Sequence, residues 1–153
     1  MIPRGPSVTI REYRPSDLEG VVRVFRSNIP KYFGPEEESG LRSYLGEFPY
    51  DYFVVGIGDQ IVGSGGFALN SDEDTVSLCW GMIRSDHLGT GLGKKLTEYR
   101  IVRIRERFPD KPIVISTSQH TQGFYEKFGF VLTRHQPDGF GPGIDICEMR
   151  KVV

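Results

Sequence analysis

The stretch Leu88-Gly89-Thr90-Gly91-Leu92-Gly93-Lys94 is where this 153-residue chain most directly implies chemistry. Glycines at alternate positions let a backbone take positive φ and come close to a ligand. Leu92, Leu96 and Tyr99 then recur at helical spacing, so a helix is expected to begin there. Its first turn would present unpaired N–H groups and the positive end of a dipole, which together suit a phosphate or pyrophosphate. Two common phosphate signatures fail. A P-loop needs Gly-x4-Gly-Lys-Ser/Thr, but Lys95 follows Gly93-Lys94 and Leu88 holds the first glycine position. A dinucleotide fingerprint needs Gly-x-Gly-x-x-Gly, but these glycines alternate throughout. Taken alone, the segment reads equally as an anion cradle or as a glycine-rich turn with no ligand.

The other chemistry-bearing residue types are sparse. His87, His120 and His135 lack metal-ligand spacing, so no metal site is expected. Cys79 and Cys147 lie in apolar stretches without a CxxC, and read as buried, reduced thiols of a cytoplasmic protein.

The elements that must position the glycine turn follow from periodicity. Residues 8–13 alternate weakly and read as a strand. A helix follows, with Ser16 and Glu19 placed as a capping box and Leu18, Val21, Val22 and Phe25 as its apolar face. Residues 28–34 form a turn-rich loop. Pro35 and the acidic run Glu36-Glu37-Glu38 start a second helix, whose buried stripe is Leu41, Tyr44, Leu45 and Phe48. Residues 52–57 and 60–69 read as a hairpin about Gly58-Asp59, and 75–83 as a third long strand. The helix after the glycine turn runs to about Phe108 and stops at Pro109. Residues 112–117 are β-branched and short, hence a strand. Ser118 is placed to cap a further helix ended by Gly129. Strands at 130–134 and 144–152, joined by a Gly- and Pro-rich loop over 136–143, close the chain. The order β-α-α-β-β-β-α-β-α-β-β implies an α/β (α+β) domain over residues 1–153, with helices covering a mixed, mostly antiparallel sheet on both faces.

At this point the chain resembles a family. Residues 83–96 look like the acyl-CoA loop of the GNAT superfamily of N-acetyltransferases, Val-x-Pro-x-x-Arg/Gln-Gly-x-Gly-x-Gly/Ala followed by a helix. Gly123-Phe124-Tyr125-Glu126-Lys127-Phe128-Gly129-Phe130 resembles the Tyr-Glu-Lys-x-Gly-Phe end of the family's last helix. Residues 52–67 resemble its second and third strands, and the element order agrees. Two positions depart. Leu88 replaces the usual Arg or Gln, which leaves the pyrophosphate to backbone N–H groups. Ser118 replaces an Asn that bonds the pantetheine arm, and a serine hydroxyl reaches less far.

The resemblance implies direct transfer of the acetyl group of acetyl-CoA to a primary amine, without a metal. The chemistry then needs a neutral amine, although a lysine-like amine has a pKa of about 10.4. It needs stabilisation of charge developing on the thioester oxygen, and a proton for the departing thiolate. By resemblance Tyr125 supplies that proton, and the backbone N–H groups of Met82 and Ile83 meet the oxygen. The acidic residue some members carry maps to Ser77, which could orient a water. His120, Glu148 and Asp72-Glu73-Asp74 are other candidates for the base. The cofactor would contact Met82, Ile83, Leu88, Gly89, Thr90, Gly91, Leu92, Gly93, Lys94, Ser118, Phe124 and Tyr125. Tyr125 would stand about 100° round the helix from a core-facing Phe124–Phe128 pair. The variable loops would supply substrate contacts: Lys31, Tyr32, Phe33, Tyr44 and Phe140, with residues 36–38 attracting a cationic amine. A non-catalytic acyl-CoA sensing module is the alternative, kept open by Ser77.

Composition bounds the partners. With 19 Lys plus Arg against 20 Asp plus Glu the net charge is −1, which gives no general reason to bind nucleic acid or an anionic membrane. The helix carrying Lys94, Lys95, Arg100, Arg103, Arg105 and Arg107 is locally basic. From Arg100 to Arg107 it reads as a solvated face suited to a helix C-terminus. No apolar run is long enough to span a membrane, and residues 1–6 lack an apolar signal core, so the cytoplasm is expected. The family resemblance also allows a homodimer.

Overall fold

A computed structural model describes residues 7–47 and 51–152. Residues 1–6, and Phe48 of the expected second-helix stripe, lie outside them. The elements are β1 (Val8–Glu12), α1 (Leu18–Ser27), α2 (Glu38–Gly46), β2 (Tyr52–Ile57), β3 (Gln60–Leu69), β4 (Val76–Ile83), α3 (Leu92–Arg107), β5 (Ile113–Thr117), α4 (Gln122–Glu126), β6 (Val131–Gly141) and β7 (Ile144–Lys151). They follow the expected order. One seven-stranded sheet runs β1-β2-β3-β4-β5-β7-β6. Its neighbouring strands are antiparallel except β4 and β5, which are parallel.

Strand alternation sends successive side chains to opposite faces. On β2, Tyr52 and Val54 pack with Val21, Val24 and Phe25 of α1 and Leu41 and Leu45 of α2. Phe53 turns to the other face, where Ile104 of α3 and Tyr125 of α4 cover it, and Val55 packs with Leu92 and Leu96. Helices therefore lie on both faces.

The entry to α1 differs from the capping box expected from Ser16 and Glu19. A 3-10 turn, Pro15–Asp17, precedes the helix, and Asp17 does the capping. Its Oδ2 accepts the Arg14 N–H at 2.8 Å, and its two oxygens accept Arg11 Nη1 and Nη2 at 2.8 and 2.9 Å. A carboxylate can take three such bonds at once where a serine hydroxyl cannot, and charge-assisted bonds are the stronger kind. Glu19 instead pairs with Arg42 on α2 at 3.1 Å. Glu38 lies between Arg26 and Arg42, and the two guanidiniums hold its carboxyl down to about 2.

Three further expectations change. The loop over 136–143 is the far end of a hairpin, because β6 runs on to Gly141. The extra residues are taken up by a bulge between Gln136 and Gly141, with Asp138 at φ +54°. Asp138 accepts the Gly143 N–H, and Asp145 accepts the Asp138 N–H, so side chains replace the missing ladder bonds. Ser118 does not cap α4. It opens a turn closed by the Thr121 N–H, and Thr121 is the residue before the helix. Arg100 is not solvated: it is 1% exposed. The thiols of Cys79 and Cys147 are free, and β5 separates their strands.

Arg11 holds the Asp17 carboxyl below its ordinary range, chiefly through its side-chain hydrogen bonds. The stabilisation is complete above the unfolded pKa of about 4 and is lost as pH falls through the folded value. Asp17→Ala should cost about 1–2 kcal/mol in urea unfolding at pH 7. That difference should shrink as pH falls below about 4.

Candidate active site

The parallel pairing of β4 with β5 covers only Val76 with Ile113 and Ser77 with Val114. Beyond it β5 stays with β7 and β4 stays with β3, so the two strands part. The divergence coincides with a bulge in β4. Ser64 pairs with Met82 and Gly66 with Cys79, which sets Trp80 and Gly81 against the single residue Gly65. Trp80 takes φ +46°, a conformation an aromatic residue holds only when its surroundings impose it. Here they do. Phe33 stacks on its indole at 6.0 Å between centroids, Phe25 meets it edge-on, and Tyr52 Oη donates to its carbonyl or to Ser64 Oγ, both at 3.0 Å.

The gap between the strands is a cleft of about 590 Å³. Leu78 to Ile83 form one wall and Ile115 to Ser118 the other. A strand edge that has left its neighbour presents unpaired backbone groups. Ile83 turns its carbonyl away from β3 to accept Asn28 Nδ2 at 2.9 Å, which places its N–H on the cleft side as well.

The glycine turn stands at the cleft mouth. Gly89 and Gly91 have φ +78° and +86°, and Gly91 is the residue before α3. Nothing lies within 4 Å of a Cβ built on either, so their surroundings are open. Gly93 has no positive φ, and an added methyl there would meet Phe124 at 3.6 Å. Leu88 and Gly89 line the cleft, as do Gly93, Ser118, Phe124, Tyr125, Met82 and Ile83. Leu92 is a core residue, Thr90 Oγ1 donates to the His87 carbonyl, and Lys94 points to solvent 4.0 Å from Glu98. Tyr125 is more deeply placed than the Phe124–Phe128 pair expected to face the core. It is 6% exposed and makes edge contacts with Phe124 and Phe130.

Four of the five expected substrate contacts, Tyr32, Phe33, Tyr44 and Phe140, reach the cleft, and so does His120, edge-on to Tyr32; Lys31 does not line it and lies over the Tyr32 ring instead. Ser77 does not line it. It sits before the strands part, and its hydroxyl donates to Asn70 Oδ1 at 2.8 Å. Asp72 closes the β3–β4 turn by accepting the Asp74 and Thr75 N–H groups, and Glu148 faces Arg134 at 3.7 Å. Sequence reasoning gave no site role to Cys79, Trp80 or Arg100 and named Glu37 only within the acidic run, yet all four line the cleft. Glu37 is the one carboxylate there among the described residues. Burial pushes its carboxyl up, against the opposing effect of the Gly34 N–H that it accepts at 2.8 Å. A cluster of glutamates in sequence did not distinguish which one turns inward.

A cleft between parting parallel strands, ending on a glycine turn and helix N-terminus, has a shape that suits a long ligand with an anionic end. A model of the acetyltransferase (GNAT) domain matches residues 28–153, and the chain belongs to this family. Protein ElaA of Escherichia coli K12 is 34% identical over 65 residues, 41% of this chain and 42% of that protein; the match thus spans less than half of this relative. A GNAT-family protein from Desulfovibrio desulfuricans superposes with TM-score 0.81 at 22% identity, over 95% of this chain and 99% of that one. An aminoglycoside 6'-N-acetyltransferase complexed with coenzyme A superposes with TM-score 0.74 at 16% identity, over 94% and 96%. These likenesses under 25% establish the fold.

The turn geometry gives a direct test of which glycines the backbone requires. Gly91→Ala should cost about 1 kcal/mol in urea unfolding because it forces a Cβ into positive φ. Gly93→Ala should be neutral within about 0.5 kcal/mol, since the helix tolerates alanine and the methyl makes an ordinary contact.

Proposed function

We propose that the protein transfers the acetyl group of acetyl-CoA directly to a primary amine. The parting of β4 and β5 above the glycine turn carries this reading, because it fits a pantetheine arm in the cleft and a pyrophosphate at the α3 N-terminus. The residues present suit that group: Gly89 and Gly91 leave open space beside the backbone, and the apolar wall of Leu78, Ile115 and Phe124 suits a pantetheine arm. When bound, acetyl-CoA supplies an acyl group activated as a thioester.

The chain's own groups then divide the work. The Ile83 N–H donates toward charge developing on the thioester oxygen. Tyr125 holds a proton at the buried end of the cleft, where its hydroxyl serves as general acid toward the leaving sulfur. Glu37 takes the proton from the incoming ammonium. Its raised pKa brings it nearer to the amine it must deprotonate, and its negative charge favours approach of a cation. Glu37 replaces Ser77 in this role, because Ser77 lies outside the cleft. Tyr32, Phe33, Tyr44 and Phe140 form an aromatic acceptor wall.

Thiol release from acetyl-CoA across a panel of amines tests the reading. Turnover with at least one amine is expected, whereas CoA binding without turnover on any would favour the sensing module. Tyr125→Phe should lower kcat about 100-fold or more with CoA affinity little changed. Glu37→Gln should lower kcat/KM and remove the acid limb of its pH profile. In the parent protein that limb should fall at a pH above the ordinary carboxylate range.

A further inference from the structure

Arg100 is the largest fully buried side chain among the described residues, and the reaction proposed above does not use it. It rises from α3 to the β4 bulge, where a Cβ on Gly81 would come within 2.8 Å of its Nη2 and one on Gly65 within 3.2 Å of its Nη1. Two glycines thus make room for one guanidinium. Its bonding is thin. Nη1 donates to the Gly66 carbonyl at 3.3 Å, and the buried Nε has no partner. Among the described residues no carboxylate is within ion-pair distance. A buried charge in that state is costly, and a partner of opposite charge would relieve it.

A second weakly bonded donor lies in the same cleft. The Tyr44 hydroxyl is buried against the thiol of Cys79, a weak acceptor, and has no oxygen or nitrogen partner among the described residues. Cys79 connects the two: its thiol feels both the Tyr44 hydroxyl and the Arg100 charge. One under-bonded cation and one neutral donor with only a thiol beside it therefore converge on the stretch of β4 at the bulge.

We infer that Arg100 and Tyr44 form a carboxylate subsite in the floor of the cleft, so that one of the two reaction partners carries a carboxylate. The inference rests on the acyl-transfer reading for the nature of the partners. Two sources share this chemistry. The carboxylate belongs either to the acceptor, as in an amino acid, or to the far end of a dicarboxylic acyl group. Arginine and tyrosine donors suit a carboxylate, and the surrounding apolar wall strengthens the attraction.

Trp80, the chain's one tryptophan, lines the cleft, so its fluorescence reports binding without turnover. In a donor arm the protein is titrated with succinyl-CoA and with acetyl-CoA. In an acceptor arm, with CoA saturating, it is titrated with L-phenylalanine and with L-phenylalaninamide. The subsite predicts at least tenfold tighter binding of the carboxylate-bearing member in one arm, which identifies the source. Tyr44→Phe and Arg100→Gln should each bring that ratio towards one. If Arg100→Gln does not fold, Tyr44→Phe removes only a hydroxyl and still reads the subsite. Ratios within twofold of one in both arms would overturn the proposal. Absence of any response to both thioesters would overturn the acyl-CoA reading instead, and the phenylalanine pair, titrated without CoA, would still decide the subsite.

Discussion

The separation of β4 from β5 after two paired residues is the constraint on which the rest of the structure depends. A parallel pair can part only if each strand keeps another neighbour, because unpaired backbone in the interior is expensive. Here β3 holds β4 and β7 holds β5. The bulge at Trp80 and Gly81 bends β4 away, and strand-interior glycines at 65 and 81 let the two backbones and Arg100 meet there. The cleft, its inward-facing backbone groups and the position of the glycine turn at its mouth all follow from this geometry.

The aromatic cluster on the other face makes the strained bulge affordable. Phe25 of α1, Phe33 of the loop that follows it and Tyr52 of β2 fix Trp80 in its left-handed conformation. The ion pairs of Glu38 with Arg26 and of Arg42 with Glu19 join α1 to α2. They are mostly solvent-facing and set alignment more than stability. Next to Glu38, Glu37 accepts the Gly34 N–H and lines the cleft. A surface ion pair and a site carboxylate thus come from adjacent positions of one short acidic segment.

Much of the fold was legible because its signals are local. The hairpin about Gly58, the change to helical period at Leu92 and the stop at Pro109 are each decided by neighbouring residues. The glycine turn and Tyr125 were legible through resemblance. The failures share a physical cause. Asp17 outranked Ser16 as a cap because Arg11, six residues earlier on β1, turns back to its carboxylate. The β6 hairpin outran its Pro and Gly residues because Asp138 and Asp145 supply bonds that composition does not reveal. Ser77 was misplaced because its position relative to the point where the strands part depends on tertiary pairing. Arg100 looked like one of several helix-face cations, and only the glycines opposite it, on β3 and β4, show where it goes. The 19 glycines are thus specific rather than diffuse: nine fall between Gly56 and Gly93, the stretch that contains the bulge and the turn.

Amide hydrogen exchange, followed along the chain with and without CoA, tests the central claim most directly. The account predicts protection confined to residues 78–83 on β4, 88–94 at the glycine turn and 115–118 at the end of β5, with β1 and β2 unchanged. Exchange unaffected by CoA in those three segments, or protection centred elsewhere in the chain, would contradict it.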